Sequence, residues 1–194
     1  RAKQFIFAST EWVYDSFNGE EIKDEESFID ITKHTSEYAI SKLVSEMNLK
    51  QKYIHGFCPV AILRFGIIYG PRKSNWSAVE SIFNNMNTNE DVAVGSLKTA
   101  RRFIHVSDIA SGVIKSIGLA GFNIINLQGD KLISLGDIIE ASKRLLNKNP
   151  KIIEINPDNK SIRNISNLKA KAILKWTPNV DLESTLCFAK NTRA

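Results

Sequence analysis

The sequence predicts an α/β protein built around a parallel sheet, and three observations carry that expectation. Short, mainly apolar runs at residues 5–8 and 60–65 have the pattern of buried strands, and residues 122–127 are a third strand candidate. Longer stretches with helical spacing lie between them, so strand and helix alternate along the chain. The 194 residues are 43% hydrophobic and 24% charged, enough to bury a real core. That balance excludes a disordered tail, a collagen-like fibre and a disulfide scaffold.

Phe5-Ile6-Phe7-Ala8 is compact and apolar, suited to a buried strand. An acidic, irregular stretch covers residues 15–30, and its run 20–26 reads as a solvated loop without calcium-loop spacing. Tyr38, Ile40, Leu43, Val44, Met47 and Leu49 then recur at helical spacing over 36–53, and Gly56 supplies a stop. Residues 60–65 form the second strand, which leads into the turn Tyr69-Gly70-Pro71-Arg72. A helix follows over 77–86. Residues 102–106 form a short strand or extended segment and run into Ser107, a good N-cap for a helix over 108–119. Residues 122–127 form the third strand. Ser134 and Asp137 make a capping box opening a helix to about 147. A short strand at 152–155 and two small helices near 166–175 and 182–189 complete the pattern.

The net charge of +5 is unevenly placed: residues 143–194 carry eleven basic and four acidic side chains. Those lysines sit at helical surface spacing with no interleaved aromatics, which reads as a solvated face rather than a nucleic-acid patch. No run reaches the roughly 18 apolar residues of a membrane span, and the basic-then-apolar start is too short for a signal peptide. Cys58 and Cys187 lie far apart, and neither they nor His34, His55 and His105 show metal-ligand spacing. The reading is of buried thiols in a reducing, cytoplasmic setting with no metal site.

One spacing carries chemistry. Tyr38 and Lys42 stand four residues apart inside the helical stretch, which puts both side chains on one face. An ammonium beside a phenol stabilises the phenolate, so the tyrosine can serve as a general acid or base, and the lysine can also donate to a ribose. The spacing alone is weak, since the chain has 18 lysines and a decoy in Tyr69–Lys73 with two helix breakers inside it. Context strengthens it. The first strand ends in Ala8-Ser9-Thr10-Glu11-Trp12-Val13-Tyr14, and the second runs through Leu63-Arg64-Phe65-Gly66-Ile67-Ile68-Tyr69-Gly70-Pro71-Arg72. Arg101-Arg102-Phe103-Ile104-His105-Val106-Ser107-Asp108 and Leu174-Lys175-Trp176-Thr177-Pro178 come later.

In that order these segments resemble the extended short-chain dehydrogenase/reductases, the NAD-dependent epimerase/dehydratase family of nucleotide-sugar enzymes. The resemblance covers essentially the whole chain. It implies a partial Rossmann-like, doubly wound parallel sheet with a small α/β substrate-binding cap. Residues 1–72 would be the C-terminal half of the NAD-binding domain. Residues 73–194 would be mainly the cap, with a return strand near 122–128. It implies that Tyr38 is the acid/base and that Lys42 holds the nicotinamide ribose of NAD or NADP. Thr10 would hydrogen-bond the reacting sugar oxygen, and Gly66 and Ile67 would pass the nicotinamide. Glu11 and Arg101 would contact the nucleotide-sugar substrate, Arg101 at its diphosphate.

Departures from the family pattern narrow this. Ile67 stands where the family often has a diphosphate-binding Asn, and Arg102 replaces a common Asp. Trp12 takes the place of the second acid of the sugar 4,6-dehydratases, so epimerase or reductase chemistry is favoured over elimination. No glycine-rich turn follows the first strand: Gly118-Leu119-Ala120-Gly121 reads as a helix C-cap. The sequence therefore reads as the C-terminal part of such an enzyme, inactive by itself and with weak or absent NAD binding. The alternatives are a non-catalytic interaction or scaffold module derived from the same fold, or a sugar-nucleotide dehydratase or reductase of the same family. In every case the strand over residues 4–9 is expected to be an open apolar edge that drives homo-oligomer formation. Light scattering at micromolar concentration is expected to show self-association, and a monomer would contradict it.

Overall fold

The computed structural model describes residues 2–15, 17–19, 21–72, 74 and 76–191, with side chains to 186. In chain order the elements are β1 (Phe5–Thr10), β2 (Ile22–Lys23), α1 (Glu37–Ile54), β3 (Val60–Phe65), β4 (Ile68–Tyr69) and α2 (Ala78–Thr88). They continue with β5 (Asp91–Val94), β6 (Ala100–Arg101), β7 (Ile104–His105), α3 (Val106–Lys115), β8 (Phe122–Leu127) and β9 (Ile133–Ser134). Last come α4 (Leu135–Leu146), β10 (Lys151–Glu154), β11 (Ile162–Ile165), α5 (Leu168–Leu174) and α6 (Leu182–Asn191).

The three apolar runs form one parallel sheet in the order β1-β3-β8. Its register pairs Phe5 with Val60 and Val60 with Phe122, so Thr10, Phe65 and Leu127 end level at the carboxyl edge. β3 is central, and Val60, Ala61, Ile62 and Leu63 are all 0% exposed, as a strand covered on both faces requires. β1 differs from a buried strand. Phe5 is 39% exposed and Ala8 is exposed, while Ser9 and Thr10 are buried. The strand is an edge whose apolar first half is open and whose polar end is enclosed.

A second core gathers Val79, Phe83 and Met86 of α2, Ile138 and Ile139 of α4, Val92 of β5 and Leu186 of α6. β5 and β10 pair in parallel beside it. A four-stranded sheet in the order β2-β11-β6-β9 joins the two regions.

Helix starts follow local chemistry. Ser36 Oγ accepts from the amide of Ala39 at the head of α1. Ser77 with Glu80, and Ser134 with Asp137, form complete capping boxes. At α3 the expected cap shifts: His105, not Ser107, is the N-cap, its Nδ1 accepting from the Ser107 amide at 3.3 Å. The cause is β7, which pairs with β4 through His105 and hands the chain straight into the helix. α3 also ends at Lys115 rather than near 119, because the chain turns at Ser116 and Gly118 has φ +88°. The tail is fixed by Trp176, whose Nε1 donates to Asp108 O at 3.1 Å. The Asp108 carboxylate accepts from the amides of Asn179 and Val180, both at 3.0 Å.

Two further expectations change. The 20–26 run is not wholly solvated, since Glu25 Oε1 accepts the Asn126 amide of edge strand β8 at 2.7 Å; Glu20 lies outside the described residues. Cys58 is half-buried rather than buried, and the Cys187 side chain lies outside the described ones. No described helix is long and apolar enough to cross a membrane.

The turn after β8 passes tightly over the segment before β7. A Cβ at Gly129 would lie 2.1 Å from the Phe103 carbonyl oxygen. Gly129→Ala is therefore expected to destabilise at or beyond the upper end of the roughly 1–3 kcal/mol typical of overpacking. The denaturant midpoint checks this, with Gly95→Ala, where nothing lies within 4 Å, as the control.

Candidate active site

The carboxyl end of the β1-β3-β8 sheet, where ligands sit in open parallel sheets, is also where the polar side chains of this chain converge. Ser9, Arg64 and Asn126 share one rung of the register. All three are buried, with Tyr14 and Glu46 beside them. Arg64 donates to Glu46 through Nε at 3.1 Å and Nη2 at 2.6 Å, and through Nη1 to Tyr14 OH at 2.9 Å. Tyr14 OH donates in turn to Asn126 Oδ1 at 2.9 Å. Burial outweighs the neighbouring guanidinium and pushes the Tyr14 phenol up to about 12.

α1 leaves this rung toward the site. Lys42 Nζ donates to the carbonyl of Ala8 at 2.9 Å. It also stands over the Phe7 ring at 5.0 Å and the Tyr38 ring at 5.7 Å. Tyr38 is 53% exposed. Thr10 closes β1, and its Oγ1 accepts from the Trp12 amide at 3.3 Å, which leaves the hydroxyl proton to donate elsewhere. The structure therefore brings Tyr38, Lys42 and the end of β1 together.

Glu11 follows Thr10 and is 1% exposed. Its Oε1 lies 3.4 Å from Arg163 Nε; with the Gln128 amide oriented so that its nitrogen faces Glu11 and its oxygen faces Gly66, Glu11 Oε2 accepts from Gln128 at 3.1 Å. Arg163 comes from β11 and also donates to the carbonyls of Glu11 at 2.8 Å and Tyr14 at 2.6 Å. Its guanidinium lies between the rings of Trp12 at 4.7 Å and Phe17 at 4.8 Å. Gln128 also accepts from the Gly66 amide at 3.2 Å, and a Cβ at Gly66 would meet the Gln128 side chain at 2.3 Å. A larger residue there would force the Gln128 side chain to move. Ile67 packs on the second core, and its carbonyl accepts from Ile104 N at 3.0 Å.

The two neighbouring arginines divide. Arg101 is half-buried and donates to Ser161 O at 2.5 Å and Ser161 Oγ at 3.0 Å. Burial pulls its pKa down, and Glu11 opposes that shift. Arg102 binds Asn164 Oδ1 at 2.6 Å and Asp130 O at 2.7 Å, so the replacement of the family's Asp braces β11 against the turn after β8.

The profile of the NAD dependent epimerase/dehydratase family matches residues 1–126. The chain belongs to this family. It is 29% identical over 191 residues to UDP-glucuronate 4-epimerase of Thermodesulfobacterium geofontis, covering 95% of this chain and 57% of that protein. It is 30% identical over 158 residues to dTDP-D-glucose 4,6-dehydratase of Dictyostelium discoideum, covering 76% of this chain and 35% of that protein. In fold it is similar to UDP-glucuronic acid 4-epimerase from Bacillus cereus, solved with UDP-glucuronic acid and NAD. The TM-score is 0.80 at 23% identity, over 94% of this chain and 59% of that one. The chain thus spans little more than half the length of the epimerases, and within that span its fold is that of the Rossmann-like epimerases.

Arg163, Gln128, Glu46 and Tyr14 were not legible as site residues. Arg64 had left a signal as the one charge inside the most apolar run, and a buried charge demands a partner.

Glu11 has a pH signature. Burial pushes its carboxyl up in spite of Arg163. The folded state therefore holds the proton more tightly than the unfolded state, and the associated stability is full at low pH and lost as pH rises through the folded value. The stability of the native sequence minus that of Glu11→Gln is expected to fall as pH rises from below 4.5. Denaturant midpoints across pH check the sign, and a difference that grew with pH would mean that the Arg163 attraction outweighs burial.

Proposed function

We propose that this chain carries the acid/base centre and much of the substrate side of an NAD-dependent nucleotide-sugar epimerase. The observation that supports the reading best is Lys42 bonded to the β1 carbonyl beside an exposed Tyr38, in a chain of this family. Tyr38 exchanges the proton of a sugar hydroxyl, and the Lys42 charge favours the phenolate that results. Thr10 donates its hydroxyl proton to the same sugar oxygen.

The residues fit the nicotinamide end of NAD. An ammonium has three protons, and the Ala8 carbonyl takes one of those on Lys42, leaving others for ribose hydroxyls. Gly66 and Ile67 flank the same end. NAD, when bound, supplies the hydride acceptor for the sugar carbon. Arg101 holds the diphosphate and Glu11 borders the sugar. The Glu11 carboxylate is engaged by Arg163 and Gln128, and Trp12 fills the neighbouring position, which favours epimerisation over elimination. Without a glycine-rich turn the chain holds NAD weakly, so it is inactive at ordinary cofactor concentration and turns over only where NAD is driven to saturation.

Titration calorimetry is expected to show weak NAD binding and measurable binding of UDP-glucuronic acid that Arg101→Ala lowers. At saturating NAD, reduced-nicotinamide absorbance is expected to rise with that substrate and to fall by about 10²–10⁴-fold in Tyr38→Phe. Sugar-nucleotide binding with no Tyr38-dependent turnover would favour the second reading, a binding module without catalysis. Absence of sugar-nucleotide binding would overturn both.

A further inference from the structure

α1 carries Tyr38 and Lys42 but is thinly anchored: its buried residues are Ala39, Leu43 and Glu46. One alanine and one leucine supply little that resists rotation of a helix about its axis. Glu46 does resist it. It stands one turn beyond Lys42 and two beyond Tyr38, and its carboxylate is 4% exposed. Both oxygens are fixed from β3 by Arg64, through Nε at 3.1 Å and Nη2 at 2.6 Å, and Oε1 also accepts from Ser9 Oγ of β1 at 2.5 Å. Arg64 is held from its other side by Tyr14, through the hydroxyl at 2.9 Å and over the ring at 4.9 Å. Ser9 lies between Ala8, which receives Lys42, and Thr10. One bidentate pair therefore references the helix to the strand that carries the partner groups.

We infer that Glu46 is a positioning residue, which through Arg64 and Ser9 sets the rotation and height of α1 and so places Tyr38 and Lys42 against the end of β1. The inference rests on the reading of those two residues given under Proposed function. Stability is a poor explanation for the pair, because a buried ion pair replaced by apolar side chains of similar volume commonly leaves a fold as stable or more so. Geometry is the better one, because a misplacement of about 1 Å costs on the order of 10²-fold in rate.

The test is the double variant Glu46→Leu/Arg64→Met, read in two ways. Its melting temperature is expected to match or exceed that of the native chain. Its turnover of UDP-glucuronic acid at saturating NAD is expected to fall about 10²-fold, with KM much less affected. By NMR, the Lys42 side-chain resonances, displaced by the Phe7 and Tyr38 rings that flank the ammonium, are expected to move toward their free positions. A folded double variant that keeps both native turnover and the native Lys42 resonances overturns the inference. If the native chain itself shows no turnover, Proposed function fails and the Lys42 resonances alone decide this inference. If the double variant fails to fold, Glu46→Gln replaces it: it keeps the packing but gives up one of the three bonds, and unchanged Lys42 resonances there overturn the inference equally.

Discussion

A guanidinium near the carboxyl end of the central strand sets the terms for the rest of the molecule. Arg64 is 3% exposed in a strand whose preceding residues are wholly apolar and buried. An unpaired charge in that place would cost several kcal/mol in lost hydration. It is satisfied from three directions, by Glu46 on α1, by Tyr14 beyond β1 and through Tyr14 by Asn126 on β8. Each partner lies on a different segment, so meeting the needs of one charge fixes where several parts of the fold stand. The apolar cores provide the burial. The Arg64 network selects one arrangement among those that would bury similar area.

A second buried cation repeats the logic at the junction with the smaller region. Arg163 reaches from β11 to the Glu11 carboxylate and to the backbone carbonyls after β1, and two aromatic rings enclose it. Glu11 is thereby committed to the interior, and Gln128 extends the contact to Gly66 on the strand exit. The two networks meet at residues 9–14, the short segment where β1 ends and the catalytic hydroxyl of the proposed mechanism sits. Thr10 thus stands between two rigidly satisfied polar clusters, which suits a site that has to hold its groups without reorganisation.

Much of this was legible from local chemistry. Mainly apolar runs located β1, β3 and β8, helical spacing located α1 and α2, and the capping box of Ser134 with Asp137 located the start of α4. Their causes act over a few residues, so a linear reading sees them. β5, β11 and the two-residue strands other than β7 escaped, because segments this short become strands only when a distant partner supplies their hydrogen bonds. The same held at α3. Ser107 is a sound cap by composition, but the pairing of β7 with β4 had already turned the chain at His105.

By itself the sequence determined the fold class, the order of the main elements and the Tyr38–Lys42 spacing. Periodicity and capping are short-range and encoded residue by residue. Only the tertiary structure decided that the polar end of β1 is enclosed, that Glu11 belongs to Arg163 and that Glu46 belongs to Arg64. Ion pairs between residues 152 and 18 positions apart leave no periodic trace. They arise because burial in a shared interior makes each charge seek whichever counter-charge the packed strands bring within reach.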